Sequence, residues 1–189
     1  KNCIFFDKNI DFIIISNGQN NKFDVPSYVK TLFRDNIGFD NGGWSDALLT
    51  NNLYKNYDKF IFVNSSVVGP FLPSDYKGRW TDKYINGLKG DVKLFGSTIN
   101  TSRCPLSRTH LQSYIFSMDK KTLEYLIKCE IFSMTNYAKN FNEAIFQKEV
   151  LMSRKIIENN WNIGSLLSYY KAVDFRNKKH QYKDFKKCC

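Results

Sequence analysis

Asn36-Ile37-Gly38-Phe39-Asp40 runs into a helical pattern, then come Tyr57-Asp58 and Lys59-Phe60-Ile61-Phe62-Val63, closed by Asn64-Ser65-Ser66. This order of turn, helix and strand decides the fold. A near-continuous apolar run such as Phe60 to Val63 suits a strand covered on both faces, as in the middle of a parallel sheet. The helix predicted over Asp40–Tyr54 carries Trp44, Ala47, Leu48 and Leu49 as a partial apolar stripe. Upstream, Asp11–Ser16 reads as a strand stopped by the Asn17-Gly18 turn signal, and Thr31–Arg34 as a second strand. Downstream, the pattern predicts a helix over Trp80–Leu88 and strands over Val92–Gly96 and Ser113–Met118. Helices over Lys121–Cys129 and Lys148–Asn159 follow, then a strand over Trp161–Leu167. Alternating strands and helices predict a single α/β domain over 1–175, Rossmann-like, with a mostly parallel central sheet flanked by helices. Residues 176–189 form a basic C-terminal tail.

Composition narrows the function classes. With 189 residues, 42% of them hydrophobic, the chain is long enough to bury a real core. Its longest apolar run, Phe12-Ile13-Ile14-Ile15, is far short of the roughly 20 residues a membrane-spanning helix needs. No transmembrane segment is therefore expected. The five cysteines (Cys3, Cys104, Cys129, Cys188 and Cys189) include no CxxC pair, which argues against a zinc site or a disulfide framework. They point to a reducing, cytoplasmic compartment. The net charge of +10 comes mostly from lysines spread singly, densest between Asn177 and Lys183, where His180 reads as solvated. No helix interleaves a basic face with aromatics, so specific nucleic-acid binding is not expected. The charge suits a phosphorylated small molecule or an anionic glycan.

In such sheets ligands bind beyond the carboxyl ends of the strands. That singles out Asn17-Gly18, Asn36 to Asp40, and Asn64 to Ser66. Glycines 38, 42 and 43 let the backbone approach a ligand, and the following helix start favours an anion. The same loop read blandly only reverses the chain. Ser65 and Ser66 lack the G-x-S-x-G elbow of a hydrolase nucleophile. A third group, Glu149 to Arg154, puts an acid four residues before Ser153 on a helix. A fourth, Thr109-His110-Leu111-Gln112-Ser113, enters a strand, where it can contact a sugar or acceptor. His110 reads there either as a functional donor or as a loop histidine. Trp44, Trp80 and Trp161 read as core residues.

Taken in order, these motifs resemble the nucleotide-sugar half of GT-A glycosyltransferases, above all bacterial and viral rhamnan-type transferases, over roughly residues 11–170. The resemblance implies transfer of a sugar from a nucleotide-diphosphate donor, UDP-linked, to a hydroxyl of a glycan or glycoconjugate acceptor. Together with the strand-end positions it gives donor binding by Asn17, Gly18, Asn36, Gly38, Asp40, Asn64, Ser65 and Ser66, and it implies Glu149 as the general base of an inverting reaction; His110 is the second catalytic candidate. In typical members the strand equivalent to Phe60–Val63 ends in Asp-x-Asp, which holds Mn2+ or Mg2+ and the diphosphate. Here it ends in Asn64-Ser65-Ser66, and neutral groups are poor ligands for a hard cation. The metal is thus left unassigned. Asp40, Asp46 or another carboxylate would have to stand in, or basic residues would neutralise the diphosphate. Such domains normally begin with a further strand and helix. Only Lys1–Asn9 stands there, so the chain reads as part of a larger multidomain protein. The alternative is a non-catalytic nucleotide-sugar or glycan-binding domain of the same descent.

Overall fold

Strand β3 (Lys59–Val63) forms where Phe60 and Phe62, pointing to one side, are buried in an aromatic core. The computed structural model describes residues 3–18, 24–101 and 108–177; Cys104, His180, Cys188, Cys189 and most of the basic tail lie outside them. β3 pairs antiparallel with β7 (Ile115–Asp119), matching Phe60 to Met118 and Phe62 to Phe116. β7 pairs antiparallel with β4 (Val92–Gly96), and β4 pairs parallel with β8 (Asn162–Ser165). The sheet order is β3-β7-β4-β8, with β7 running against the other three.

The central sheet is therefore mixed, not mostly parallel as the alternation predicted. A parallel return needs a crossover, usually helical, to carry the chain back to the starting end of the sheet. Between β4 and β7 the described chain instead makes a small antiparallel pair, β5 (Ile99–Asn100) with β6 (His110–Leu111), and re-enters from the same end. Two further strands, β1 (Phe12–Ser16) and β2 (Val29–Phe33), pair parallel as a sheet of their own.

Helices cover both faces. Trp44 and Leu48 of α1 (Phe39–Leu49), Leu123 and Leu126 of α3 (Lys120–Lys128), and Met152 and Ile156 of α5 (Leu151–Glu158) join Phe60, Phe62, Phe116 and Met118 in one core. Phe62 stacks on Phe116 with centroids 4.7 Å apart, and Trp44 meets both rings edge-on. Side chains alternate across a strand, so Ser117 faces the other way. Its hydroxyl donates to the Tyr84 carbonyl of α2 (Trp80–Ile85) at 2.9 Å. The result is a single mixed α/β domain. No helix among the described residues is long and apolar enough to cross a membrane.

Two predicted helices change shape. α1 stops at Leu49 rather than Tyr54, because Asn51 and Asn52 take left-handed backbone angles (φ 53° and 54°) and the chain tightens into a 3-10 segment through Asn56. Asparagine tolerates that region better than most residues. The helix predicted from Lys148 starts earlier. A short α-turn, α4 (Phe141–Glu143), is capped by the Asn140 side chain accepting from the Glu143 amide. It continues as a π-helix over Ala144–Val150 and only then becomes α5.

Candidate active site

The π-helix is where the site begins. Its wide turn buries Val150 and Lys148 and sets Lys148 and Glu149 together in the wall of a cleft. π-turns within helices occur frequently at functional sites. The Lys148 ammonium is buried and donates to the Glu130 carbonyl at 2.7 Å; burial lowers its pKa. Glu149 meets β6 and the turn that follows. Its Oε1 lies 2.8 Å from His110 Nε2, and its Oε2 accepts from the Ser113 hydroxyl. One helical turn further on, Ser153 accepts from the Leu111 amide at 2.9 Å. The four-residue spacing of Glu149 and Ser153 thus secures two consecutive residues of β6.

His110 is held from both sides, since its Nδ1 faces the Arg108 carbonyl. A carbonyl cannot donate, so Nδ1 must carry a hydrogen, and Nε2 needs one to meet a carboxylate. Burial alone would lower the His110 pKa, but the bonds to Glu149 and Arg108 outweigh it and raise it above 6.5. For Glu149, burial would raise the pKa, but the bonds from His110 and Ser113 take it below 4.5. Both shifts favour an imidazolium facing a carboxylate. The His110 contribution to stability is complete below pH 6.5 and fades as pH rises through its raised pKa. The Glu149 contribution is complete above pH 4.5 and fades as pH falls through its lowered pKa. Thermal melts against pH should show both limbs, and His110→Gln should flatten the alkaline one. An unchanged alkaline limb in that variant would refute the pairing.

The cleft encloses ≈ 60 Å³ and is lined by Phe39, Asp40, Trp44, Ser113 and Glu149 among others. That is room for one edge of a ligand rather than for a whole nucleotide sugar. Asn64 donates to the Asp40 carboxylate at 3.1 Å and accepts from the Ser66 amide and hydroxyl. Asp40, Asn64 and Ser66 therefore form one chain, with Ser65 exposed beside it. On the other side of Phe39 lies an open groove of ≈ 410 Å³, whose walls include Asn36, Gly38, Tyr137 and Lys139. Gly38 and Phe39 both have positive φ (76° and 57°), which turns the loop sharply into α1. Asn17 and Gly18 line neither hollow. The Asn17 amide oxygen accepts from Arg34, and the Gly18 carbonyl accepts from Ser16.

Sequence reading missed the cluster that holds this loop. Arg34 donates at 2.7 Å to each of Asp46, Asn17 and the Ile37 carbonyl. Tyr137 donates to the second oxygen of Asp46; burial first, then that carboxylate, push its phenol up to about 12. Asp46, considered above as a stand-in metal ligand, has both oxygens occupied by Arg34 and Tyr137. An arginine at a strand end was visible in the sequence, but its tyrosine neighbour lies too far along the chain to be paired by pattern. The described residues hold no cluster of three His, Cys, Asp or Glu side chains. With Asn64-Ser65-Ser66 neutral and Asp40 already bound to an amide, the donor set does not fit a Mn2+ or Mg2+ site.

A family model described as rhamnan synthesis protein F matches residues 12–186. The chain belongs to the rhamnan synthesis protein F family. The match runs from the first residue of β1 across every described element that builds the cleft. The chain is also 32% identical over 94 residues to a protein of Acanthamoeba polyphaga mimivirus named as the sel1-like repeat-containing protein L18. That segment is 48% of this chain and 15% of the viral protein, so the chain spans a small part of that relative's length. No solved structure matches.

Proposed function

We propose that this member of the rhamnan synthesis protein F family is a glycosyltransferase of the GT-A type, acting in polysaccharide synthesis. It transfers a sugar from a nucleotide-diphosphate donor, UDP-linked, to a hydroxyl of a glycan acceptor with inversion. The observation that carries the reading is the Glu149 carboxylate, held between His110 and Ser113 and facing the same cleft as Asp40. In the reaction the acceptor oxygen forms a bond to the anomeric carbon as its proton passes to Glu149. The bond from that carbon to the diphosphate breaks, and its electron pair leaves with the diphosphate. His110 donates from both ring nitrogens, so it orients Glu149 rather than acting as a base. Asp40, Asn64, Ser65 and Ser66 contact the donor sugar, while Asn36 and Gly38 lie on the nucleotide side of Phe39. Asn17 supports that loop from behind through Arg34, and Gly18 closes the turn after β1 by accepting from Ser16.

A ligand that binds only the folded state raises the melting temperature, by an amount that grows with the logarithm of its concentration above Kd. UDP, dTDP and GDP, each with and without manganese, are the direct screen. A UDP shift that does not depend on manganese is expected, and no shift with any nucleotide would refute the reading. The neutral Asn64-Ser65-Ser66 also favours a second reading, a domain that binds the nucleotide sugar without turning it over. Binding without transfer or donor hydrolysis would establish that alternative.

A further inference from the structure

A diphosphate that leaves without a metal needs cationic charge from the protein, and most nearby cations are already committed. The Arg34 side chain is mostly buried and donates to Asp46, Asn17 and the Ile37 carbonyl, and Lys148, which lines the cleft, is buried and donates to the Glu130 carbonyl. Lys139 belongs to the groove beyond Phe39. Arg108 differs from all of these. It is exposed, and it makes no ion pair among the described residues. Its guanidinium lies over the ring of Phe146, 5.1 Å from the centroid, and that ring is itself 45% exposed. Its own carbonyl accepts from His110, the residue that grips Glu149. Arg108 is thus anchored through its backbone to the catalytic pair and through its side chain to the π-helix that carries Glu149.

Such an anchored guanidinium is a pre-organised anion site. A cation–π contact holds the guanidinium in place without using its N–H groups, which stay available to a planar or tetrahedral oxyanion. We infer that Arg108, whose carbonyl meets His110 and whose guanidinium lies over Phe146, binds the phosphate oxygens of the nucleotide-diphosphate donor and offsets the charge that builds on the leaving diphosphate. The inference rests on the transferase reading above and supplies what the missing Asp-x-Asp would have held. Fixed cations aimed at developing phosphate charge are a recurrent means of stabilising such transition states.

Calorimetric titration of UDP, dTDP, GDP, uridine and glucose 1-phosphate into wild type, Arg108→Ala and Arg108→Lys tests it. Arg108→Ala should weaken the preferred nucleoside diphosphate by about tenfold or more, the usual range for a lost charged hydrogen bond. Uridine affinity should not change, and Arg108→Lys should recover only part of the loss because lysine lacks the fork. Because Arg108 is exposed, the melting temperature of the unliganded variants should stay near wild type, which separates lost binding from lost folding. Unchanged nucleoside diphosphate affinity in Arg108→Ala would overturn the inference while leaving the transferase reading intact. Loss of glucose 1-phosphate binding alone would also overturn it, and would move Arg108 to an anionic acceptor. If wild type bound none of the nucleotides, inference and reading would fall together.

Discussion

Glu149→Gln should reduce sugar transfer by roughly 10²–10⁴-fold, the usual contribution of a positioned general base. The substitution keeps the shape of the side chain and an oxygen for the Ser113 hydroxyl. It removes the negative charge and the capacity to take a proton, and it sets an amide N–H against His110 Nε2, which favours the neutral imidazole there. Nucleotide affinity should therefore stay close to wild type, which places the loss in turnover rather than in donor binding. The variant should also forfeit the acid limb of the stability profile, since no carboxyl remains to titrate against His110. Steady-state rates with a nucleotide-sugar donor, beside calorimetry with the free nucleotide, separate the two effects. Full turnover in Glu149→Gln would remove the residue from the mechanism whatever its pKa. A matched fall in turnover and nucleotide affinity would instead make Glu149 a structural support.

The largest effect on folding is expected from Arg34→Ala. The Arg34 side chain is 9% exposed and its partner Asp46 20%. Deleting the guanidinium leaves the Asp46 carboxylate with Tyr137 but no counter-charge, and takes the Arg34 bond from the Asn17 amide and the Ile37 carbonyl at once. Breaking a buried ion pair from one side costs about 3–5 kcal/mol. For a domain of this size the melting temperature should drop by roughly 10 °C, taking about 2–4 °C per kcal/mol. Arg34→Lys should rescue little, because one ammonium cannot reach three acceptors set around a planar fork. The cluster joins the end of β1, the end of β2, α1 and the turn before Phe39. Nucleotide binding should weaken even below the new melting temperature as that turn loosens. A variant that melts like wild type would mean that the ion pair contributes nothing measurable, as holds for many exposed pairs.

Parts of this molecule were legible from residue order alone, and the reasons are physical. β3 and β4 appear over the predicted residues because each is a compact apolar run with polar or glycine borders. The spacing of Glu149 and Ser153 was legible too, since four residues make one helical turn. Its meaning was not, because both partners lie on β6, some forty residues upstream in a different element. Strand direction was misjudged for a related reason. Apolar pattern reports burial, whereas β7 is reversed by the route its connection takes. The overextended α1 depended on two asparagines whose left-handed angles no periodicity announces. The Tyr137–Asp46 contact spans 91 positions and leaves no local trace. Local chemistry was therefore readable, and the meeting of distant side chains was not.

The π-helix over Ala144–Val150 has one more consequence, and it concerns length rather than identity. A π-turn holds about one residue more than an α-turn, so it amounts to an insertion the fold has kept. Deleting a single codon between Ala144 and Gln147 would let the segment rewind as ordinary α-helix. The flanking turns would stay in phase, because the π-turn absorbs its extra residue locally, and the residues within it would be the ones to change direction. With Ser153 still fastened to Leu111 and Asn140 still capping the start, that reorientation would fall on the side chains between them, Glu149 among them. The distance along the chain from Asn140 to Ser153 is thus a heritable dimension of the site. A lineage could exchange many of the intervening letters more safely than it could lose one.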